Sequence, residues 1–415
     1  MTWKLVAALL TSGVSLLARP AMPQSFTLQQ VMSGTFNSEL QAAPKGSLVV
    51  WIANEQGKRN VWVADLGVAK FAPKKLTSYA VDDGQDIGDI TWTPDAQRVV
   101  YVHGGDFEFP GRPEPNPSQI SAGVEQTIYV VPVSGGEPRK IASGRSPAVS
   151  PDGKTLAYIG KEGIWAVALQ DAGAKPGLMF HARGTSGAPV WSPDGRYLAF
   201  TSSRGDHGFI GVYAVGDKTI TYMQPSTLND RYPEWSPDSK QIAFVRMSSG
   251  SFGAGASQHR TGEPWSIMVA DAMTGAGREV WQSSEGPGSV FHPLATDRQI
   301  FWSGGGRLIF PWEKDGWEHL YAIPVRGAKD ATLLTPGEFE VEHVSATPDC
   351  KEIVFASNQG DIDRRHVWEL DRRQGRAEAS DEGRRHRGVP GDYGDGRRCG
   401  AAVRCMGSNP SGCCE

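Results

Sequence analysis

A chain of 415 residues with 50 glycines, 28 prolines and 13 tryptophans carries many tight turns and many large side chains to wedge between sheets. Its formal net charge of −4, with no basic stripe interleaved with aromatics, argues against nucleic-acid binding, which needs clustered Lys and Arg. Cys350 lies in the body of the chain and Cys399, Cys405, Cys413 and Cys414 crowd its end, so no internal disulfide framework is expected.

The amino terminus has Lys4, an apolar run from Leu5 to Leu17, and then small residues and prolines. That pattern describes a secretory signal peptide, too short to span a bilayer comfortably. Residues 1–25 are therefore expected to be signal and leader, and the protein to be secreted or periplasmic.

From residue 26 a phrase recurs: an apolar residue, Ser or Thr, Pro, Asp, then a β-rich run. It reads Trp92-Thr93-Pro94-Asp95, Val149-Ser150-Pro151-Asp152, Trp191-Ser192-Pro193-Asp194, Trp235-Ser236-Pro237-Asp238 and Ala346-Thr347-Pro348-Asp349. Weaker copies stand at Pro44 and His292-Pro293. Ser or Thr before Pro-Asp is type I turn chemistry, so each copy predicts a hairpin between two strands. Hairpins at intervals of about 40–60 residues mean a β-propeller. The expected fold is all-β, about seven four-stranded blades over residues 26–370. Third strands are visible as NVWVADL, TIYVVPV, GIWAVAL, FIGVYAV, WSIMVADA, HLYAIPV and HVWEL, whose Trp and Tyr residues are read as inter-blade packing.

Connections between second and third strands differ most from blade to blade, so specificity is expected there, on the face opposite the Pro-Asp turns. They hold a proline-stiffened insert in blade two, a Gly- and Ser-rich one in blade five, and two charged groups. Arg204, Asp206 and His207 lie in blade four; Asp361, Asp363, Arg364 and Arg365 lie in blade seven. These seven are the candidates for facing a substrate or partner.

Catalytic motifs are missing. Gly184-Thr185-Ser186-Gly187 fails as a nucleophile elbow because Ala188 holds the last position. The nine histidines include no H-E-x-x-H, and Ser303-Gly304-Gly305-Gly306 sits between strands rather than before a helix. Glu338 and Glu340 form a carboxylate pair by spacing alone, and Asp89 is the one good channel acid. No catalytic residue, metal or cofactor is expected in this chain.

After Leu370 the composition turns to Arg and Gly without Leu, Ile, Phe or Trp. Residues 371–415 are expected to be a disordered tail, read as a frame change in a GC-rich gene that interrupts the last blade after its third strand.

The run FTLQQVMSGTFNSELQAAPKG, the WSPDG blades, EKDGWEHLYAIPV, TPGEFEVEHVSATPD and SNQGDIDRRHVWEL together resemble the amino-terminal propeller of dipeptidyl peptidase IV-like serine peptidases, of the prolyl oligopeptidase family. The resemblance covers residues 26 to 370. It implies a propeller that filters peptide substrates for an α/β-hydrolase domain carrying a Ser-Asp-His triad, a domain not found in this sequence. The family segment D-W-x-Y-E-E-E, which holds a substrate amino terminus, is also missing. The WSPDG blades are shared with periplasmic TolB-like propellers, so a protein-binding module is the alternative. A propeller enzyme with its own central-channel site, such as a lactonase or glycosidase, is a third.

Overall fold

The computed structural model describes residues 27–371 and 376–379, apart from 106–123, 188, 249–260, 297, 328–329 and 347–352. The expected signal peptide, the inserts of the second and fifth units, the turn at Pro348 and the tail beyond residue 379 lie outside the described residues.

One short helix, α1 (Leu28–Met32), opens the described chain, with Thr27 and Gln30 forming a reciprocal capping box. Every other described element is a strand. The first unit hydrogen-bonds β1 (Phe36–Ala42), β2 (Leu48–Glu55), β3 (Lys58–Asp65) and β4 (Lys74–Lys75) in that order. The second is β5 (Ile87–Trp92), β6 (Arg98–His103), β7 (Thr127–Pro132) and β8 (Arg139–Ser143). The third is β9 (Arg145–Val149), β10 (Thr155–Gly160), β11 (Gly163–Ala168) and β12 (Gly177–Phe180).

The next two units share a sheet. One has β13 (Thr185–Ser186) and β14 (Val190–Trp191) as a broken inner strand, then β15 (Tyr197–Ser203), β16 (Gly208–Ala214) and β17 (Thr219–Tyr222). The other is β18 (Asn229–Trp235), β19 (Gln241–Met247), β20 (Ser266–Asp271) and β21 (Gly277–Gln282). A single parallel pairing of Gly208 with Asn229 joins them. The sixth unit is β22 (Phe301–Ser303), β23 (Arg307–Trp312), β24 (His319–Pro324) and β25 (Thr332–Leu333). The seventh is β26 (Val341–Ala346), β27 (Ile353–Ser357), β28 (His366–Asp371) and β29 (Arg376–Ala379).

The Pro-Asp turns form as their chemistry dictates. In the third unit the Ser150 carbonyl accepts from Gly153 N at 2.8 Å, closing the turn. The Ser150 hydroxyl donates to Asp152 Oδ1 at 2.6 Å and accepts from Thr155 N, while Asp152 Oδ1 accepts from Lys154 N. Those bonds, led by the Ser150 hydroxyl, hold the Asp152 carboxyl below the usual carboxylate range. The turns at Thr93, Ser192 and Ser236 repeat the set. Consecutive turns also touch: a Cβ on Gly153 would meet Pro94, one on Gly195 would meet Pro151, and Asp194 N donates to Ser239 Oγ. That contact places these four turns on one face.

Packing explains the alternation along second strands. Val99 and Tyr101 join a core with the first unit, while Val100 and Val102 join one with the third. Similar cores lie between each following pair of neighbours, through to the sixth and seventh units. Trp265, immediately before the third strand β20, and Tyr321 in the third strand β24 fall in one of these cores, as inter-blade packing requires. A tryptophan ladder ties three successive junctions. Trp191 Nε1 donates to the carbonyl of Ala148, Trp235 Nε1 to that of Val190 and Trp302 Nε1 to that of Glu234, at 3.0–3.1 Å.

Two expectations are corrected. The sixth hairpin turn is not at Pro293, which precedes β22; it is Gly304-Gly305-Gly306, between β22 and β23. Trp302 occupies the ladder position there, so Ser303 and the three glycines stand where the third and fourth units have Ser-Pro-Asp-Gly. Gly305 and Gly306 adopt φ of 78° and 67°, a backbone that costs a glycine little. The seventh unit also has its fourth strand. Arg376–Ala379 pairs with β28 from Trp368 to Asp371, so these four residues and Asp371, all expected in the tail, belong to the sheet. An outer strand of Arg, Ala and Glu has no apolar alternation by which sequence could reveal it.

Candidate functional site

The inner strands carry a repeated bulge. Register slips occur in β1 around Glu39, in β5 around Asp89, in β9 around Ser146 and in β18 around Tyr232, and all four residues have φ between 49° and 56°. Side chains of two of them reach the next unit: Glu39 Oε2 accepts from Ile90 N at 3.1 Å, and Asp89 Oδ2 accepts from Ser146 N at 2.7 Å. Asp89, the channel acid of the sequence reading, therefore has a structural duty in this stitching.

Arg204, Asp206 and His207 lie in the connection from β15 to β16, as expected. The Arg204 guanidinium sits 4.6 Å from the Phe209 ring centre and 5.2 Å from that of Tyr222. His207 Nδ1 is 2.7 Å from the exposed carboxylate of Asp206, which that contact holds below the usual range. Arg204 and His207, with Arg183 and Thr185, line a cavity of about 410 Å³.

The candidates of the last unit lie between β27 and β28 and do not join that cavity. Asp361 and Arg364 pair loosely at 3.8 Å, Asp361 Oδ1 accepts from Asp363 N, and Arg365 Nε donates to Glu342 at 2.6 Å. Glu342 lines a second cavity, of about 800 Å³, which sequence reasoning did not assemble.

That larger cavity is built from three segments: His292–Ala295 before β22, Glu313 and Glu318 flanking the β23–β24 connection, and Glu340–His343 at the entry to β26. Backbone bonds fasten them together, Val341 N to Glu318 O at 2.9 Å and Ala295 N to Glu342 O at 3.2 Å. Glu340 N donates to Asn358 Oδ1, which fixes the rim. Glu313 and Glu318 are 8% and 6% exposed, yet both are carboxylates. Burial pushes the Glu318 carboxyl well above the usual range, and the charges of Glu313 and Glu340 raise it further. His292 Nδ1 lies 2.5 Å from Glu313 Oε2. Of the carboxylate pair noted in the sequence, Glu340 lines this cavity and Glu338 is exposed. No periodicity could have gathered these residues, because the grouping depends on a turn the sequence does not signal.

Comparison with known proteins bears on this geometry. Residues 139–254 match the family model of the TolB beta propeller domain, and residues 257–387 that of the dipeptidyl peptidase IV N-terminal region. An uncharacterised protein of Agrobacterium fabrum is 30% identical over 135 residues, 31% of this chain and 45% of its own length. Dipeptidyl peptidase 4 of Arthroderma otae is 23% identical over 397 residues, 83% of this chain and 44% of its own. The chain thus spans less than half the length of these curated relatives. The solved dipeptidyl peptidase 4 of Porphyromonas gingivalis covers 83% of this chain and 53% of its own, at 12% identity and a TM-score of 0.54. At that identity the likeness speaks to fold alone.

The fold is a β-propeller. Its segment 257–387 resembles the dipeptidyl peptidase IV N-terminal region, and its segment 139–254 the TolB beta propeller domain. Among the described residues no helix is long and apolar enough to cross a membrane.

Proposed function

We propose that this chain is the substrate-gating propeller of an exported serine peptidase of the prolyl oligopeptidase family, a ring of seven four-stranded blades. The observation that carries the reading is a coincidence of position. The segment matching the dipeptidyl peptidase IV N-terminal region contains the acid-lined cavity of the sixth and seventh units. In this reading the Pro-Asp turns form the scaffold face. The opposite face carries Arg204, Asp206, His207, Asp361, Asp363, Arg364 and Arg365 toward a hydrolase domain and its peptide substrates. The chain itself supplies no nucleophile elbow, so its part is selection rather than bond cleavage. Export to the periplasm or beyond suits both the amino-terminal pattern and the class.

A second reading, a periplasmic protein-binding module, is favoured by the TolB propeller match over residues 139–254. The coding sequence beyond codon 370, read in all three frames, separates them. The gating reading expects an α/β-hydrolase with G-x-S-x-G in one frame. Absence of that motif from all three favours the binding module.

A further inference from the structure

We propose that His292, Glu313 and Glu318 form a binding site for one divalent first-row metal ion within the 800 Å³ cavity. Each residue offers one ligand atom, and these atoms all lie within 4.8 Å of one another. The three come from rigidly tied backbone. His292 precedes a stretch anchored by Ala295 N to Glu342 O, and Glu318 is held through its own carbonyl by Val341 N. Glu313 closely follows β23, whose last residue Trp312 bonds to Gly288 O.

One further atom points to a cation. Glu318 Oε1 is buried without a hydrogen-bond partner, and Glu318 is 6% exposed. A buried polar group in that state is costly, the more so if charged, so its retention calls for a ligand. Neither Lys nor Arg is among the described residues lining the cavity, while Glu313, Glu318, Glu340 and Glu342 all are. His292 Nδ1 lies 2.5 Å from Glu313 Oε2, so an ion shared by these two ligands would take the place of that contact on the Nδ1 side of the ring.

The donor set names the class of ion. One imidazole with two carboxylates suits Mn²⁺, Fe²⁺ or Zn²⁺; Ca²⁺ and Mg²⁺ prefer oxygen alone. Three protein ligands facing an open cavity leave positions for water or a ligand group. This inference stands whether or not a hydrolase follows the propeller.

The test is titration of the 415-residue chain with Mn²⁺, followed by loss of the free-ion electron paramagnetic resonance signal. Mn²⁺ is chosen because the terminal cysteines would compete for Zn²⁺. One ion per chain is expected, with binding weakened at least about tenfold in Glu318→Gln and in His292→Gln, and unchanged in the exposed control Glu338→Gln. Near-ultraviolet circular dichroism checks that the variants keep the native fold. If the unaltered chain leaves millimolar Mn²⁺ free, or if a folded Glu318→Gln variant binds it like the unaltered chain, the site does not exist.

Discussion

The second to fifth units and the sixth and seventh are built on one plan and use their polar residues differently. In the regular units nearly every polar side chain of the hairpin is consumed by the turn: Ser150, Asp152 and their counterparts bond one another and the amides that follow. The sixth unit keeps the tryptophan of the ladder and discards the Pro-Asp turn for three glycines. Near it, burial falls on Glu318, whose Oε1 has no hydrogen-bond partner and whose carboxyl faces the charges of Glu313 and Glu340. Polar groups that serve the backbone mark scaffold, whereas a buried carboxyl set among other carboxylates marks a place where stability has been yielded to another purpose.

The junction between the two regions offers the largest test. Arg298 precedes the sixth unit and forms a buried two-point pair with Glu234 of the fifth, its Nε at 3.1 Å. Arg298→Ala strands a buried carboxylate and should cost about 3–5 kcal/mol in urea unfolding. The exposed pair of Lys240 with Asp238, at 3.8 Å, should lose less than about 1 kcal/mol when Lys240 becomes Ala. Equal losses would mean that the junction is no stronger than the surface.

Trp302→Phe removes the ladder bond and leaves the Glu234 carbonyl without that donor, for an expected loss of about 1–3 kcal/mol. Trp235→Phe should cost the same if the sixth unit truly shares the plan of the fifth. A much smaller loss at Trp302 would make the sixth unit a different structure with a similar outline.

Acid titration sharpens the comparison within the fifth unit. Burial lifts the Asp230 carboxyl to about 6, despite its contact with Arg246 at 2.7 Å. A carboxyl whose folded pKa is raised contributes stability fully present below its unfolded value, lost as pH rises through the folded one. Stability should therefore carry a falling component between roughly pH 4 and 6 that vanishes in Asp230→Asn. An unchanged pH profile in that variant would remove Asp230 as the source.

The smallest effects lie in the turns. Ala96 and Ser239 hold φ of 57° and 60° where Gly153 and Gly195 hold 70°. Ala96→Gly should gain up to about 1 kcal/mol, and Gly195→Ala should lose about as much; Ser239→Gly should gain less than Ala96→Gly, because it also removes the bond from Asp194 N. Opposite signs would show that packing against the neighbouring turn, rather than φ, governs this position.

These contrasts also explain what was legible in the sequence. The turns at Pro94, Pro151, Pro193 and Pro237 were readable because proline, Asp and a hydroxyl act locally, over about five residues. Second and third strands were readable because they are buried on alternating sides by two neighbours. The Gly304–Gly306 turn escaped because glycine permits many turns and specifies none. The last strand, Arg376–Ala379, escaped because an outer edge needs no apolar pattern. Of the site, Arg204 and His207 were found as loop charges, and Arg365 reaches the larger cavity through Glu342. His292, Glu313, Glu318 and Glu340 come together through tertiary structure, and no spacing in the chain announces them.

The central claim is that the acidic cavity of the sixth and seventh units is a site and not scaffold. Thermal unfolding of Glu318→Gln in chelator, beside the unaltered chain, tests it most directly. With its folded pKa raised, Glu318 gives stability that is present below pH of about 4.5 and lost as pH rises. The neutral variant should therefore melt higher at pH 7, by the equivalent of about 1–2 kcal/mol, with the advantage gone at pH 4. A variant that melts lower than the unaltered chain at pH 7 without metal would show that Glu318 is part of the scaffold, and would contradict the account.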